Sequence, residues 1–429
     1  MTDVPVQLIL ALVLLLLLSG ISAIVFSRLR FPYTVGLVAV GLGLGALASR
    51  VDCMSFVARL HFTPNVVLYV LLPALVFEAA LNMDTRRLFR DLVPILLLAA
   101  PGLVFAAVVT GFLVHGMTPL SLGAAMLFGA LISTTDPVAV IAIFKELGAP
   151  RRLAMLVDGE SLLNDATAIV AFNLVLGLLS GGSGPDSASL ARAAVEFAAV
   201  FLGGAVVGAA VGLALARLLS LARNDPLVDT AFTVVVAYSS FILAQFYLGL
   251  SGVMAVVGAG LAVAHYGSTR FSPEARAQLG HFWSFACFSA NSYVFLLLGL
   301  TEGYLARRLD RLPQIGLFVL VAVFAVQISR ALLVFGAVPL FNRFSKHPIG
   351  RAYRAVLFWG GLRGALPVAL AMSLSPEQVG GEANFVAILD CTLGVVLFSL
   401  LVQGTSMRRL MDRLGVGPDS ASAVPESPR

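Results

Sequence analysis

Long apolar segments, separated by short polar loops, follow one another along nearly the whole chain. A helix needs about 20 apolar residues to cross the hydrocarbon core of a bilayer, and windows of that length predict 13 spans. The predicted spans are residues 6–26, 33–49, 65–82, 93–115, 119–147, 153–180, 190–222, 227–248, 250–267, 278–300, 313–341, 351–374 and 382–404. The pattern predicts an all-α polytopic membrane protein with about 13 transmembrane helices.

The fifth span is interrupted near its middle by the polar sequence STTDP at residues 133–137. Pro137 has no amide hydrogen, and its ring clashes with the carbonyl of residue 133, so the helix is expected to break there. Backbone groups left unpaired at membrane depth are tolerated only where they line a cavity or pack against protein. The fifth span is therefore predicted to be a discontinuous helix.

The sixth span carries four polar side chains into its apolar body, Glu160, Ser161, Asn164 and Asp165. At 100° per residue, Ser161 and Asp165 share one helix face, and Glu160 and Asn164 share a neighbouring face. A carboxylate at the bilayer centre costs roughly 2.5 to 3.5 kcal/mol on insertion scales. Because each carboxylate is costly to insert, several of them in two adjacent spans indicate an ion pathway.

A second break is predicted in the twelfth span, where three glycines and a proline surround Arg363 in WGGLRGALP at residues 359–367. Glycines so closely spaced remove helix stability. The two broken spans are seven positions apart, an odd number, so they run in opposite directions across the membrane. This is the layout of six-helix inverted repeats, with two crossed discontinuous helices near the midplane. Helix ends carry partial charges, so Asp136 is predicted to compensate the helix N-termini and Arg363 the C-termini.

Composition and charge agree with this class. Hydrophobic residues make up 59% of the chain and charged residues only 12%, whereas about a quarter of a soluble globular protein is charged. Of the 28 Lys and Arg residues, 20 fall on one side of the predicted topology, 6 on the other and 2 within spans. The positive-inside rule then predicts an integral protein of the cell (inner) membrane, with its N-terminus outside and its C-terminus cytoplasmic. The net charge of +5 thus reflects topology rather than a nucleic-acid surface.

Five sequence motifs carry a resemblance to a known family. STTDP, GESLLNDA, WGGLRGA, LLPALVFEAAL and LVQGTS resemble those of the monovalent cation/proton antiporters, the sodium/hydrogen exchanger family of the bacterial and archaeal NhaP kind. The resemblance implies a homodimer in the lipid bilayer. It implies a dimerisation domain formed by residues 1–90 and 190–305, an ion-transporting core formed by 91–189 and 306–414, and a short cytoplasmic tail at 415–429.

The resemblance also implies a set of site residues. The residue that binds the cation or the proton falls on Asp165. Four further residues surround the cation, namely Asn164, Ser161, Thr135 and Glu78. The expected Na⁺ ligands are Asp165, Ser161, Thr135 and Glu78. The resemblance also implies a buried acid–arginine pair, formed by Glu160 with Arg330, Arg363 or both. Glu78 is either a ligand or a gate residue, and Asp136 either a ligand or, as we favour, a counter-charge for helix ends.

The chemistry of these residues favours sodium/proton exchange. Carboxylate, hydroxyl and unwound carbonyl oxygens are the hard ligands that an alkali cation prefers, and one carboxylate can hold either a proton or a cation. The expected function is secondary active exchange of Na⁺ or Li⁺ for H⁺, electroneutral and without a cofactor, by alternating access. A K⁺/H⁺ antiporter of the same fold and a cation channel remain as alternatives. No GxSxG sequence or buried Ser/His pair points to a hydrolase.

Overall fold

The computed structural model describes residues 3–29, 33–48, 64–180, 187–219, 225–305, 312–343 and 348–416, and within them the regular structure is helical, without β-strands. The first half contains α1 (Asp3–Arg28), α2 (Tyr33–Ala48), α3 (Pro64–Asn82), the short α4 (Thr85–Arg90), α5 (Leu92–Met117), α6 (Leu122–Ile132), α7 (Val138–Leu147) and α8 (Arg151–Ser180). The second half contains α9 (Ser187–Leu219), α10 (Pro226–Tyr247), α11 (Gly252–Arg270), α12 (Pro273–Leu305), α13 (312–342), α14 (Arg351–Trp359), α15 (Ala365–Met372) and α16 (Glu382–Leu414).

Each predicted span corresponds to one helix or one pair of helices in the described ranges. Eight of these helices contain at least 18 residues and are apolar enough to cross a membrane, namely α3, α5, α8, α9, α10, α12, α13 and α16. Shorter apolar stretches of 10–17 residues lie in α1, α2, α6 and α11. The prediction of an all-α polytopic membrane fold is confirmed. Of the predicted tail at 415–429, only residues 415 and 416 lie within the described part of the chain.

Several helix pairs in the described ranges approach to backbone contact through glycines, among them α5–α6, where a Cβ atom at Gly129 would lie 2.2 Å from the carbonyl oxygen of Ala107. A Cβ atom at Gly208 in α9 would lie 1.8 Å from the carbonyl oxygen of Ala255 in α11. A Cβ atom at Gly41 in α2 would lie 2.3 Å from the carbonyl oxygen of Leu296 in α12. Small residues permit such close packing in membranes, where apolar side chains gain little from leaving lipid. The pairs α9–α11 and α2–α12 are therefore rigid units that a larger residue would force apart.

The remaining packing falls into two groups of helices. In the first group, α3 packs on α11, which also contacts α9. In the second group, α5 packs on α6 and α13, α13 packs on α16, and α8 packs on α5 and α6. α8 also contacts α9 and α11, so it lies where the two groups meet. The predicted division into a dimerisation domain and an ion-transporting core follows these groups and stays a prediction.

Candidate ion-binding site

The two predicted breaks meet at one point. Between α6 and α7, residues 133–137 are not helical, and between α14 and α15 the non-helical stretch is 360–364. The backbone N–H of Asp136 donates a hydrogen bond to the carbonyl oxygen of Leu362 at 2.7 Å. Backbone groups freed by one break are thus paired with those of the other, which is how unwound chain is tolerated inside a membrane protein.

Two arginines lie at the helix C-termini that point into this crossing. Nη1 of Arg363 donates to the carbonyl oxygens of Ser133, at 2.8 Å, and of Thr134, at the end of α6. Nη2 of Arg330 donates to the carbonyl oxygen of Leu357, near the end of α14, at 2.9 Å. The last carbonyls of a helix have no partner within it and carry partial negative charge, so each guanidinium stabilises one broken helix at its C-terminal end.

The helix N-termini at the crossing share one carboxylate. Oδ1 of Asp136 accepts a hydrogen bond from the N–H of Val138, the first residue of α7, at 2.9 Å. Gly364 precedes α15, and a Cβ atom there would lie 2.3 Å from Oδ2 of Asp136. The carboxylate therefore lies against the beginnings of both α7 and α15. This position fits a counter-charge for the partial positive charge of two helix N-termini.

Glu160 forms a buried ion pair with Arg330. Nη2 of Arg330 is 3.0 Å from Oε2 of Glu160, and Nη1 contacts Oε1. The side chain of Arg330 is only 8% exposed and that of Glu160 only 3%. Of the two arginines that the sequence left open as partners, Arg330 pairs with Glu160, whereas the guanidinium of Arg363 donates to backbone carbonyls.

Thr135 of the first break is held by two side chains of α8. Ser161 donates its hydroxyl to the Thr135 carbonyl oxygen. Asn164 donates Nδ2 to the Thr135 hydroxyl at 2.6 Å and accepts the Thr135 N–H at 3.4 Å. Three of the five residues predicted around the cation are therefore in direct contact.

Asp165 lies one turn after Ser161 on α8 and is half-buried. Among the described residues, its carboxylate makes no hydrogen bond or ion pair, and the carboxylate of Asp136 is close enough to repel it. The described residues hold no cluster of three His, Cys, Asp or Glu side chains of the kind that binds a transition metal. What the arrangement offers is one open carboxylate beside neutral oxygens, a donor set suited to a single monovalent cation or a proton.

Comparison with known proteins identifies the family. The family model described as "Sodium/hydrogen exchanger, transmembrane" matches residues 13–413. The chain belongs to this exchanger family. It is therefore an integral membrane transporter and not an enzyme, as the sequence predicted.

Two relatives and the fold of one solved structure agree with the match. The chain is 38% identical over 406 residues to the Na⁺/H⁺ antiporter ApNhaP of Aphanothece halophytica, covering 94% of this chain and 73% of the relative. It is 35% identical over 410 residues to the Na⁺/H⁺ antiporter NhaG of Bacillus atrophaeus, covering 93% and 73%. The fold is similar to that of the sodium proton antiporter MjNhaP1 of Methanocaldococcus jannaschii, with a TM-score of 0.74, 20% identity and coverage of 95% and 99%.

Glu78, the remaining predicted ligand in this exchanger, lies on α3. Its Oε1 accepts a hydrogen bond from Nδ2 of Asn82, on the same helix, at 2.6 Å. The thiol of Cys287 on α12 donates to the carbonyl oxygen of Ala74, one turn before Glu78 on α3, at 3.7 Å. These bonds orient Glu78 on α3 and hold α3 against α12, both in the predicted dimerisation domain. Whether Glu78 is a ligand or a gate residue stays a prediction.

Some contacts of the crossing were not predicted from the sequence. The bond from Arg330 to the end of α14 was missed, because nothing in the sequence indicates which carbonyl a guanidinium reaches. Ser399 was also missed, although its hydroxyl accepts the backbone N–H of Arg363 at 3.0 Å. The signal available was the LVQGTS motif, which begins two residues after Ser399 and to which no role was given.

Proposed function

We propose that this antiporter exchanges Na⁺, or Li⁺, for H⁺ one for one across the membrane, with cation and proton competing for Asp165. The observation that carries the proposal is the pair of hydrogen bonds by which Ser161 and Asn164 of α8 bind Thr135. Ser161 and Asn164 bind the unwound backbone and hydroxyl of Thr135 within one turn of Asp165. Several oxygens are thereby brought beside one carboxylate that no described residue neutralises.

The exchange is electroneutral on this proposal because the crossing offers a single exchangeable charge. The residue before Asp165 is the neutral Asn164, so α8 presents one titratable group where two aspartates would present two. Glu160 is bound by Arg330 through a bidentate contact, so on this proposal it is not the group that exchanges. The carboxylate of Asp136 lies against two helix N-termini, whose partial positive charge favours its charged form, so on this proposal it serves as a counter-charge. On this proposal Glu78 keeps one protonation state through the cycle, so one proton leaves when one monovalent cation enters.

Alternating access arises, on the same proposal, from movement of the ion-transporting core against the dimerisation domain. The core comprises 91–189 and 306–414, and the dimerisation domain comprises 1–90 and 190–305, which forms the homodimer. The glycine contacts of α9 with α11 and of α2 with α12 support a rigid dimerisation domain. The N-terminus lies outside and the C-terminus in the cytoplasm, as the distribution of Lys and Arg favours.

The test uses the purified protein in vesicles with an imposed pH gradient. Chlorides of Na⁺, Li⁺ and K⁺ are added in turn, and the collapse of the gradient is followed with a pH-sensitive dye. Asp165→Asn is expected to abolish cation-dependent proton flux, because the amide keeps the size of the side chain but carries neither proton nor charge. Asp229→Asn is the matched control, since Asp229 is buried in α10, away from the crossing, and it is expected to retain the flux.

Each outcome separates one alternative. Proton flux in the wild type with K⁺ but not Na⁺ or Li⁺ would replace the proposal by K⁺/H⁺ exchange. Cation flux that continues without any counter-movement of protons would identify a channel. Retention of more than a few per cent of the exchange in Asp165→Asn would remove Asp165 from its role.

A further inference from the structure

The last helix contacts the second break through a widened turn. The stretch Ser399–Gly404 of α16 is π-helical, and such turns concentrate at functional sites. Ser399 and Gln403 lie in this turn, and both are 1% exposed. Neither is titratable, neither takes part in the ion pair, and no role follows for them from the proposed exchange.

Their side chains bind the free backbone groups on either side of the break. The Ser399 hydroxyl oxygen accepts the N–H of Arg363 at 3.0 Å and donates its own proton to the carbonyl of Val396 at 2.8 Å. Nε2 of Gln403 donates to the carbonyl oxygen of Trp359 at 3.3 Å. A buried backbone N–H without a partner is costly. Through these hydrogen bonds, α16 fixes the position of the backbone at Arg363.

Arg363 connects this turn to the ion-binding residues. Its guanidinium donates to the carbonyl oxygens of Ser133 and Thr134, which immediately precede Thr135. Thr135 is bound by Ser161, one turn before Asp165. Hydrogen bonds, together with the backbone of residues 133–135, thus connect Arg363 to Ser161, one turn before Asp165.

We propose that Ser399 is a positioning residue for cation binding, which acts by setting the orientation of Arg363 and, through it, of the carbonyl oxygens of the first break. This inference rests on the proposed competition of cation and proton at Asp165. A proton needs only the carboxylate, whereas a cation also needs the surrounding oxygens at the right distances. Loss of the Ser399 hydroxyl therefore weakens cation binding and leaves proton binding unchanged.

The experiment compares three variants in the vesicle assay. Ser399→Ala removes the hydroxyl, and Ser399→Thr restores one. Thr392→Val is the matched control on the same helix, because the Thr392 hydroxyl is also buried but donates only within its own helix, to the carbonyl of Ile388 at 2.7 Å. In Ser399→Ala we expect the KM for Na⁺ to rise several-fold at an unchanged maximal rate. Because protons compete with Na⁺, a more weakly bound Na⁺ is displaced at a lower proton concentration. The acid limb of the plot of exchange rate against pH should therefore move to higher pH, by about one pH unit for a tenfold rise in KM.

The two readouts distinguish positioning from a merely structural role. Fewer folded molecules would lower the maximal rate and leave the KM and the pH profile where they were, and that result would overturn the inference. So would a KM in Ser399→Ala equal to that of Thr392→Val, or a failure of Ser399→Thr to restore the KM. If Ser399→Ala cannot be purified, Gln403→Met removes the neighbouring donor at similar size and is expected to raise the KM in the same way; an unchanged KM there refutes the proposal.

The result also stands apart from the test of the proposed function. If the wild type shows no cation-dependent proton flux, or if Na⁺ and H⁺ do not compete in the wild type, the proposed function fails and the variants are not at issue. If the wild type shows competition and Ser399→Ala does not shift it, only the role of Ser399 fails.

Discussion

Replacing Glu160 by glutamine tests whether the ion pair at the crossing stabilises the transporter. The substitution keeps the shape of the side chain and removes its charge. Arg330 then retains its hydrogen bond to the carbonyl of Leu357, and the new amide oxygen can still accept one hydrogen bond. What is lost is the counter-charge of a guanidinium that is almost fully enclosed.

The expected loss of stability follows from this burial. An exposed ion pair contributes about 0 to 1 kcal/mol, whereas removing one partner of a buried pair costs about 3 to 5 kcal/mol because the other charge is left uncompensated. The unfolding entropy of globular proteins, about 2.1 cal/mol/K per residue, gives roughly 0.9 kcal/mol/K for a chain of 429 residues. Glu160→Gln should therefore lower the Tm by about 3 to 6 °C, and a weak pair would lower it by about 1 °C or less.

Thermal unfolding of the purified protein in detergent measures this difference. Asp165→Asn is the reference, since no described residue is paired with Asp165, and its Tm should equal or exceed that of the wild type. The double variant Glu160→Gln/Arg330→Met removes both charges and should melt above Glu160→Gln alone. Equal melting temperatures for Glu160→Gln and Asp165→Asn, or a double variant less stable than the sum of its single changes, would refute the reasoning.

Two further predictions concern the crossing and the stoichiometry. Gly364→Ala would bring a methyl group to 2.3 Å from Oδ2 of Asp136, so it should lower both the Tm and the exchange rate. The control Gly316→Ala, with no atom within 4 Å of the added Cβ, should leave both unchanged. Equal behaviour of the two variants would contradict the close contact of Asp136 with the beginning of α15. In vesicles clamped with potassium and valinomycin, the Na⁺/H⁺ null point should not move with membrane potential, and a shift would mean that a second charge crosses.

The sequence predicts the crossing because two local rules apply at membrane depth. Pro137 cannot lie inside a continuous helix, since it has no N–H to donate and its ring clashes with the preceding turn, and α6 does end at Ile132, directly before the non-helical stretch 133–137. The glycines around Arg363 mark the second break in the same way. Apolar length predicts the spans because the bilayer imposes one thickness on all of them. These features depend only on neighbouring residues, which is why the pattern alone reveals them.

The partners of the buried charges depend on tertiary packing, and the sequence does not specify them. Arg330 and Arg363 are equivalent in the sequence as partners for Glu160. The choice follows from how α13, α14 and α8 pack, which gives Arg330 both Glu160 and the carbonyl of Leu357. The surroundings of Glu78 likewise depend on the packing of α3 against α12, where the thiol of Cys287 donates to the carbonyl oxygen of Ala74.

The fixed charges at the crossing explain why cation and proton movement would be coupled. Two guanidiniums, of Arg330 and Arg363, lie at the crossing with two carboxylates, of Glu160 and Asp136. On the proposed function these four charges are fixed and sum to zero. On the proposed function, Asp165 then adds one negative charge when the site is empty and none when a proton or a monovalent cation is bound. Moving an uncompensated charge through the membrane interior costs several kcal/mol, whereas the two loaded states carry no such penalty. On the proposed function, the loaded forms therefore reorient and the empty form does not, and this difference would couple each cation to one proton.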